Sequence, residues 1–571
     1  MNAAKRFRSP TLRRACIALA LAVLVLVPIW QGSVQAKDAG RGTDRQQFLD
    51  GLKILGSVYE RVFYNYVEDV DAYELLEAGI EGMLDHLDEH TQYLPPSFYD
   101  DLMMSTEGEF GGLGITINIR DHYPTVVSPI EGTPAFLMGI QGGDKIIEIE
   151  GETTLDFTSN DAVKLLRGEP GTQVTITIER EGLDDPFPLT ITRDIIQVDS
   201  VPYAFMIDDI GYVRVANFSR TTTDELVAKL AELEGLGARG LILDLRWNPG
   251  GLLESANGVS ELFLDDGDLI VYTKGRLRSQ NRSYYAEEAG THRKTQLPTI
   301  VMVNGSSASA SEIVSAAIQD HDLGMVVGKT TFGKGTVQTV FPLSDDRALK
   351  LTTAKYYTPS GRSIHKDRHV DDSDIDLTEA PAEGQGDAAE IEQDIPREDK
   401  EKFSTDAGRI VYGGGGITPD IEIAQPFLTD FEVALERDGA LFSFATTWSA
   451  HHEVGQDVVI DAEMLTAFAE HLGTREKIDE YLGVYELVRT DDLLVENSDY
   501  IRQGIRRELM RRNFGPQAAY QVAIEDDIQL KETLDIFKRA QTTADLLAIA
   551  AQWEAERVVQ AEEEESATAV H

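Results

Sequence analysis

A single cysteine, Cys16, occurs in 571 residues. Removal of the first 36 residues would leave none, and in an oxidising compartment that excludes disulfides, a thiolate nucleophile and cysteine-ligated metal. Positive charge is also scarce: 52 Lys and Arg face 98 Asp and Glu, for a formal net charge of −46. A surface that acidic repels phosphate backbones and anionic lipid, so nucleic acid is not an expected ligand. Hydrophobic residues make up 42% and charged residues 26%, the balance of a soluble folded protein rather than of a disordered or multi-span membrane chain. The length exceeds what one hydrophobic core supports, so several domains are expected.

The N-terminus sets the expected compartment. Lys5, Arg6, Arg8, Arg13 and Arg14 precede an apolar run from Cys16 to Trp30, and Ser33-Val34-Gln35-Ala36 then offers small residues for cleavage. Residues 1–36 therefore read as an export signal or, if uncleaved, a single membrane anchor, which places the chain in the periplasm or facing it. From Phe48 to Leu87, apolar residues at three- and four-residue steps, among them Leu52, Leu55, Val58, Leu76, Ile80 and Met83, predict two amphipathic helices in a domain spanning 37–108. Inside it His86-Leu87-Asp88-Glu89-His90 has the H-x-x-E-H spacing of inverted zinc peptidases. The pattern runs straight into Thr91 to Pro96, which ends any helix at the second histidine, and the reading adopted is a helix terminus with no metal.

Between residues 109 and 200, short strands alternate with turns and two short helices, one starting at Thr133-Pro134 and one at Ser159-Asn160. With Gly111-Gly112-Leu113-Gly114-Ile115 opening the first strand, this order resembles a PDZ domain. Backbone N–H groups of Gly112, Leu113, Gly114 and Ile115 are then expected to hold a peptide carboxylate, with Arg167 beside the groove. From Gly211 onward strands alternate with helices, which predicts a largely parallel α/β core over 201–425. Residues 369–402 are acidic and poor in large apolar side chains, an expected solvated insertion. Residues 426–571 turn helical again and show no chemistry.

Two stretches carry reactive groups. Val303 to Ile313 reads VNGSSASASEI and places hydroxyls where a buried strand meets a helix, beside free N–H groups that suit an oxyanion. Ser306, Ser307, Ser309 and Ser311 all fit that description, and all fit helix capping equally well. Gly333-Lys334-Gly335 then sets a lysine between glycines at the mouth of a strand, where burial lowers its pKa toward a working base. Four residues on, Gln338 is expected on the same strand face, holding the amine.

SSASASEI, FGKGTVQ with its lysine 25 positions after Ser309, LILDLR followed by NPGG, and the PDZ-like region together resemble the carboxyl-terminal processing peptidases over roughly residues 48–425. The resemblance implies Ser309 as nucleophile, Lys334 as general base, Gln338 as its orienter, and an oxyanion hole from Ala310 with Gly250 or Gly251. It also implies a multidomain α/β architecture with a crotonase- and Clp-peptidase-like core, protein C-termini as substrate, and no cofactor. An adaptor or a second copy docking on the helical regions is a further expectation. Asp320 matches an acidic position of some members.

Three alternatives compete with that arrangement. Ser363-Ile364-His365-Lys366 matches the S-x-x-K of penicillin-binding enzymes without their other elements. A Ser309/His321/Asp244 triad would need His321 about 18 Å away along a helix to reach the serine. An inert PDZ scaffold has no use for Ser309, Lys334 and Gln338 together.

Overall fold

The computed structural model describes residues 45–287, 294–344, 347–366, 397, 400–424, 428–485 and 487–568. The expected export segment and nearly all of the 369–402 insertion lie outside these residues. Arg397, at the insertion's end, pairs with Glu554 at 2.7 Å, and a strand begins at Lys402.

The core is a six-stranded sheet in the order Tyr203–Ile207, Ile210–Arg214, Gly240–Asp244, Thr299–Val303, Gly324–Gly328, Ile421–Glu422. Its first pair is an antiparallel hairpin and every later pairing is parallel. Strands covered on both faces read as continuous apolar runs, as GLILD and TIVMV do. Helices Thr222–Gly235, Leu253–Glu261 and Ala310–Asp320 cover one face, packing Leu226, Leu230, Val259 and Val314 with Leu243, Val301 and Val326.

The expectation of a largely parallel core covers only half of what is there. A second, antiparallel sheet is built on Ala348–Tyr357, which pairs with Thr336–Pro342, Gln92–Leu94 and Leu269–Gly275. Its sequence, ALKLTTAKYY, mixes lysine and threonine with apolar residues because it is only partly buried, and so lacks the signature of the central strands.

The PDZ-like region forms a six-stranded sheet of its own, with helices Pro134–Leu137 and Ser159–Leu166. Among the described residues, strand Ile115–Arg120 pairs only with Tyr123–Pro129 and is therefore an edge.

Both helical ends depart from the sequence reading. At the N-terminus helices Arg45–Asn65 and Ala72–Leu84 form, yet Leu52, Leu55, Val58, Leu76 and Met83 are exposed, because two helices alone leave most of an apolar stripe uncovered. At the C-terminus the extension is not a separate unit. Helices Ile528–Arg539 and Thr543–Thr568 supply the second layer of the core sheet, burying Ile242, Ile300, Met302 and Met325 under Leu530, Phe537, Leu546 and Ala550. The helices between Asp430 and Phe514 form a bundle that grips the PDZ region. Arg120 stacks on Phe442 at 4.2 Å and donates to the Gly439 carbonyl, while Arg512 donates to that of Gly142.

Candidate active site

Helix Ala310–Asp320 is buried along its whole length, and Ser309 stands at its N-cap, half-buried, with φ 54° and ψ −111°. A positive φ is costly for a residue with a β-carbon and persists only where its surroundings impose it. The Ser309 hydroxyl makes no capping bond to its own helix, so the capping role open to every serine of this run is not the one Ser309 plays. Ser307 Oγ instead donates to Leu245 O at 2.8 Å and Ser311 Oγ to Asn248 O at 3.0 Å.

Those two bonds tie the serine turn to the loop after strand Gly240–Asp244. Asn248 organises that loop: Ala308 N–H donates to its carbonyl at 3.0 Å, its Nδ2 donates to Val215 O, and its Oδ1 accepts the Gly250 N–H at 2.9 Å. The Gly250 N–H is thus already engaged. Gly250 matters instead by its missing side chain, since a β-carbon there would lie 2.7 Å from Ser309 Cβ and 2.9 Å from the Ala310 nitrogen, at φ +99°.

Lys334 lies just before strand Thr336–Pro342, half-buried. Burial lowers its pKa, and the positive charge of Lys350 lowers it further. Its flanking glycines admit close backbone: a β-carbon at Gly335 would meet His365 backbone at 2.6 Å, and Lys366 N–H donates to Gly333 O at 3.0 Å. The S-x-x-K segment is therefore a wall behind the lysine loop.

Two residues that sequence reasoning missed join these pieces. Glu312 is fully buried; its Oε2 accepts the N–H groups of Ser309 (2.8 Å) and Lys334 (2.9 Å), and its Oε1 accepts Gly333 N–H (2.8 Å) and Thr331 Oγ1–H (2.5 Å). Burial pushes its pKa up to about 7 against the pull of those four donors. The Tyr356 hydroxyl lies between the carbonyls of Ser309, at 3.2 Å, and Lys334. Burial, then the charge of Glu312, raises its pKa well above the ordinary value, so it stays a donor. The backbones of residues 309 and 334 are thereby fastened through both their N–H and their C=O groups. A faint signal existed for Glu312, the S-x-x-E spacing of a capping box, of which it completes the glutamate half.

Gln338 does not hold the lysine as expected. Its Nε2 donates to Thr336 Oγ1 at 2.9 Å and Thr352 Oγ1 at 3.3 Å. The same-face argument fails because Lys334 precedes the strand and the register slips between Val337 and Gln338. His321 is also elsewhere, its ring nitrogens 2.7 Å from Asp406 Oδ2 and 2.8 Å from Leu269 O. Asp244 is held by Arg246 and Tyr212, and Asp320 by Arg362. Helix Ala72–Leu84 stops before His86, so the two histidines of H-x-x-E-H share no helix face.

In the PDZ region Phe110, Leu113, Gly114, Ile115, Val163 and Arg167 line a small apolar pocket between the edge strand and helix Ser159–Leu166. Gly112 closes the preceding strand. Arg167 caps that helix, stacks on Phe110 at 4.8 Å and donates to Asp101 at 2.8 Å, tying the groove to helix Pro96–Glu107.

Comparison with known proteins places this geometry. Residues 209–375 match the model of peptidase family S41 and residues 125–180 that of the PDZ domain. A carboxy-terminal-processing protease of Bartonella bacilliformis is 44% identical over 56% of this chain and 74% of its own length. The chain belongs to the carboxy-terminal processing protease family. Other relatives are a Synechocystis carboxyl-terminal-processing protease, 39% identical over 50% of this chain and 68% of its own, and Bacillus subtilis CtpA, 37% identical over 55% and 66%. As a member of this family the chain is a serine peptidase of multidomain α/β architecture with a peptide-binding PDZ domain, and the reading as an inert scaffold falls.

Proposed function

We propose that this carboxy-terminal processing protease cuts proteins bearing unstructured C-terminal tails, with Ser309 as nucleophile and Lys334 as general base. The single observation that carries the reading is Glu312, one buried carboxylate accepting the backbone N–H of both residues. In this mechanism the neutral Lys334 amine takes the Ser309 proton as Oγ attacks the scissile carbonyl, and returns it to the leaving amine; water then releases the acyl group by the reverse sequence. Ala310 N–H at the helix start and Gly251 N–H receive the oxyanion, since the Gly250 N–H is spent on Asn248. The PDZ groove takes the free C-terminus on Gly112, Leu113, Gly114 and Ile115, with Arg167 at its rim.

The same reading places the enzyme in the cell envelope, released or anchored by residues 1–36. It assigns the exposed apolar stripe of Phe48, Leu52, Leu55 and Val58 to contact with a second copy or an adaptor.

Digestion of a model protein with an apolar unstructured tail, read by mass spectrometry, tests the dyad. S309A and K334A each abolish cleavage while melting like wild type, and the double variant is no worse than either, because nucleophile and base act as a unit. Activity retained in K334A and lost in H321A transfers the base to histidine.

A further inference from the structure

The loop from Leu245 to Gly250 meets the serine turn through four hydrogen bonds. Ser307 Oγ donates to Leu245 O at 2.8 Å, Trp247 N–H to Asn304 Oδ1 at 3.0 Å, and Ala308 N–H and Ser311 Oγ–H both to Asn248 O at 3.0 Å. Arg246, in the middle of the loop, makes none of these bonds. It is 5% exposed, and its guanidinium grips the wholly buried Asp244 through Nε at 3.0 Å and Nη2 at 2.7 Å. The rest of the fork is taken by the C-terminal extension: Nη1 donates to Gln529 Oε1 at 3.0 Å, and Nη2 lies 2.6 Å from Asp527 Oδ2.

Both partners are themselves fixed. Gln529, 1% exposed, donates from Nε2 to Ile423 O at 2.9 Å, which leaves its amide oxygen facing Arg246. Asp527 caps helix Ile528–Arg539 through Oδ1, which accepts Leu530 N–H at 3.0 Å, and so offers Oδ2 to the arginine. An arginine carries five N–H donors and cannot shed its charge, so its burial calls for several acceptors. Asp244 cannot supply them alone, since its Oδ2 also accepts the Tyr212 hydroxyl at 2.6 Å. The residue after the arginine shows why the grip matters. Trp247 has φ 62°, a conformation costly for a bulky side chain, and at 57% exposure little packing holds it there. Its neighbours impose the conformation: Arg246 is fixed before it, Asn248 after it, and its own N–H is held by Asn304. With Arg246 slack, Trp247 relaxes to negative φ, and the turn redirects the Asn248 carbonyl that holds Ala308 N–H, one residue before Ser309.

We infer that Asp527 and Gln529 are positioning residues of the active site: through Arg246 they hold the strained turn at Trp247 closed, and with it the backbone that carries Ser309. This rests on Ser309 being the nucleophile, as proposed above. The extension thereby enters the catalytic apparatus through two side chains, and not only as cover for the core sheet.

The test measures kcat and KM for a tailed peptide, well below the melting temperature, in D527N, Q529M and the double variant, each alone and combined with W247G, with melting curves for all. D527N keeps the helix cap and Q529M keeps the volume, so both fold. In the double variant kcat falls about tenfold or more with KM within about twofold, because the peptide groove is untouched while the support of the nucleophile shifts. Glycine adopts φ near +62° without strain, so W247G removes what drives the turn open. Added to the double variant, it cuts the loss to about threefold or less relative to W247G alone, while the melting temperature stays below that of wild type. A merely structural role lowers melting without this recovery. Wild-type kcat in the folded double variant, or a loss that is equal with and without W247G, overturns the inference; the dyad then stands as long as S309A and K334A are inactive. Activity surviving in S309A removes the nucleophile and this inference with it. If the double variant does not fold, D527N with and without W247G decides on the same two criteria.

Discussion

At the scale of single residues, the site rests on charges placed around one amine. Lys350 lies on the strand opposite Thr336–Pro342 and is the main charge lowering the Lys334 pKa after burial itself. Replacing it with methionine keeps the stem and removes the charge, so the Lys334 pKa rises back toward that of a free lysine. The sign follows: the base is neutral over a narrower range, and the acid limb of the K350M activity profile moves to higher pH. Activity near neutrality then drops by up to about tenfold while the alkaline plateau stays, and a limb that does not move shows that Lys350 is electrostatically silent. Ser309 and Lys334 were legible because small residues and glycines mark close approach. Tyr356 was not, since it sits 47 residues beyond the serine and meets it only through the second sheet.

At the scale of elements, periodicity served well where strands were regular and failed where they were not. The PDZ strands were readable, and Lys145–Ile149 and Gln173–Glu179 are among the short strands that form in the 109–200 region where strands alternating with turns are expected. The register slip beside Gln338 has no sequence signal, and it undid the one argument that counted residues along a strand. The edge strand Ile115–Arg120 and helix Ser159–Leu166 frame a groove open to an added peptide strand, and Gly114, at φ +78°, could not carry a side chain without meeting Thr133 at 2.3 Å. A free carboxylate held by backbone N–H groups is worth about 1.5–3 kcal/mol per charged hydrogen bond. Amidating the substrate tail therefore lowers kcat/KM by about tenfold to a hundredfold in a paired digestion, and equal cleavage of the two substrates would recast the PDZ region as a lid.

At the scale of the whole molecule, the C-terminal extension carries the largest difference between reading and fold. Its apolar residues were visible, but their partners were not, because the far face of the core sheet looks the same in sequence whether a later helix or another chain covers it. Gly240 records the contact, since a β-carbon there would lie 2.5 Å from the Phe537 ring. Arg246, in the loop leading to Asn248, donates to Gln529 Oε1 at 3.0 Å and pairs with Asp527 at 2.6 Å, so the extension also braces the loop that packs against the Ser309 turn. A chain ending at Asp526 uncovers Ile242, Ile300, Met302 and Met325 together; it binds a hydrophobic dye and aggregates at temperatures where the full chain is a cooperative folder, and a cooperative melt in the truncated chain would refute this. The layering also sets a schedule for synthesis. Strand Gly324–Gly328 leaves the ribosome roughly 200 residues before helix Thr543–Thr568, a wait of about 10 to 40 seconds at ordinary elongation rates, during which one face of the sheet has no cover of its own. Whatever holds the chain in that interval meets an apolar sheet face that the finished enzyme never shows.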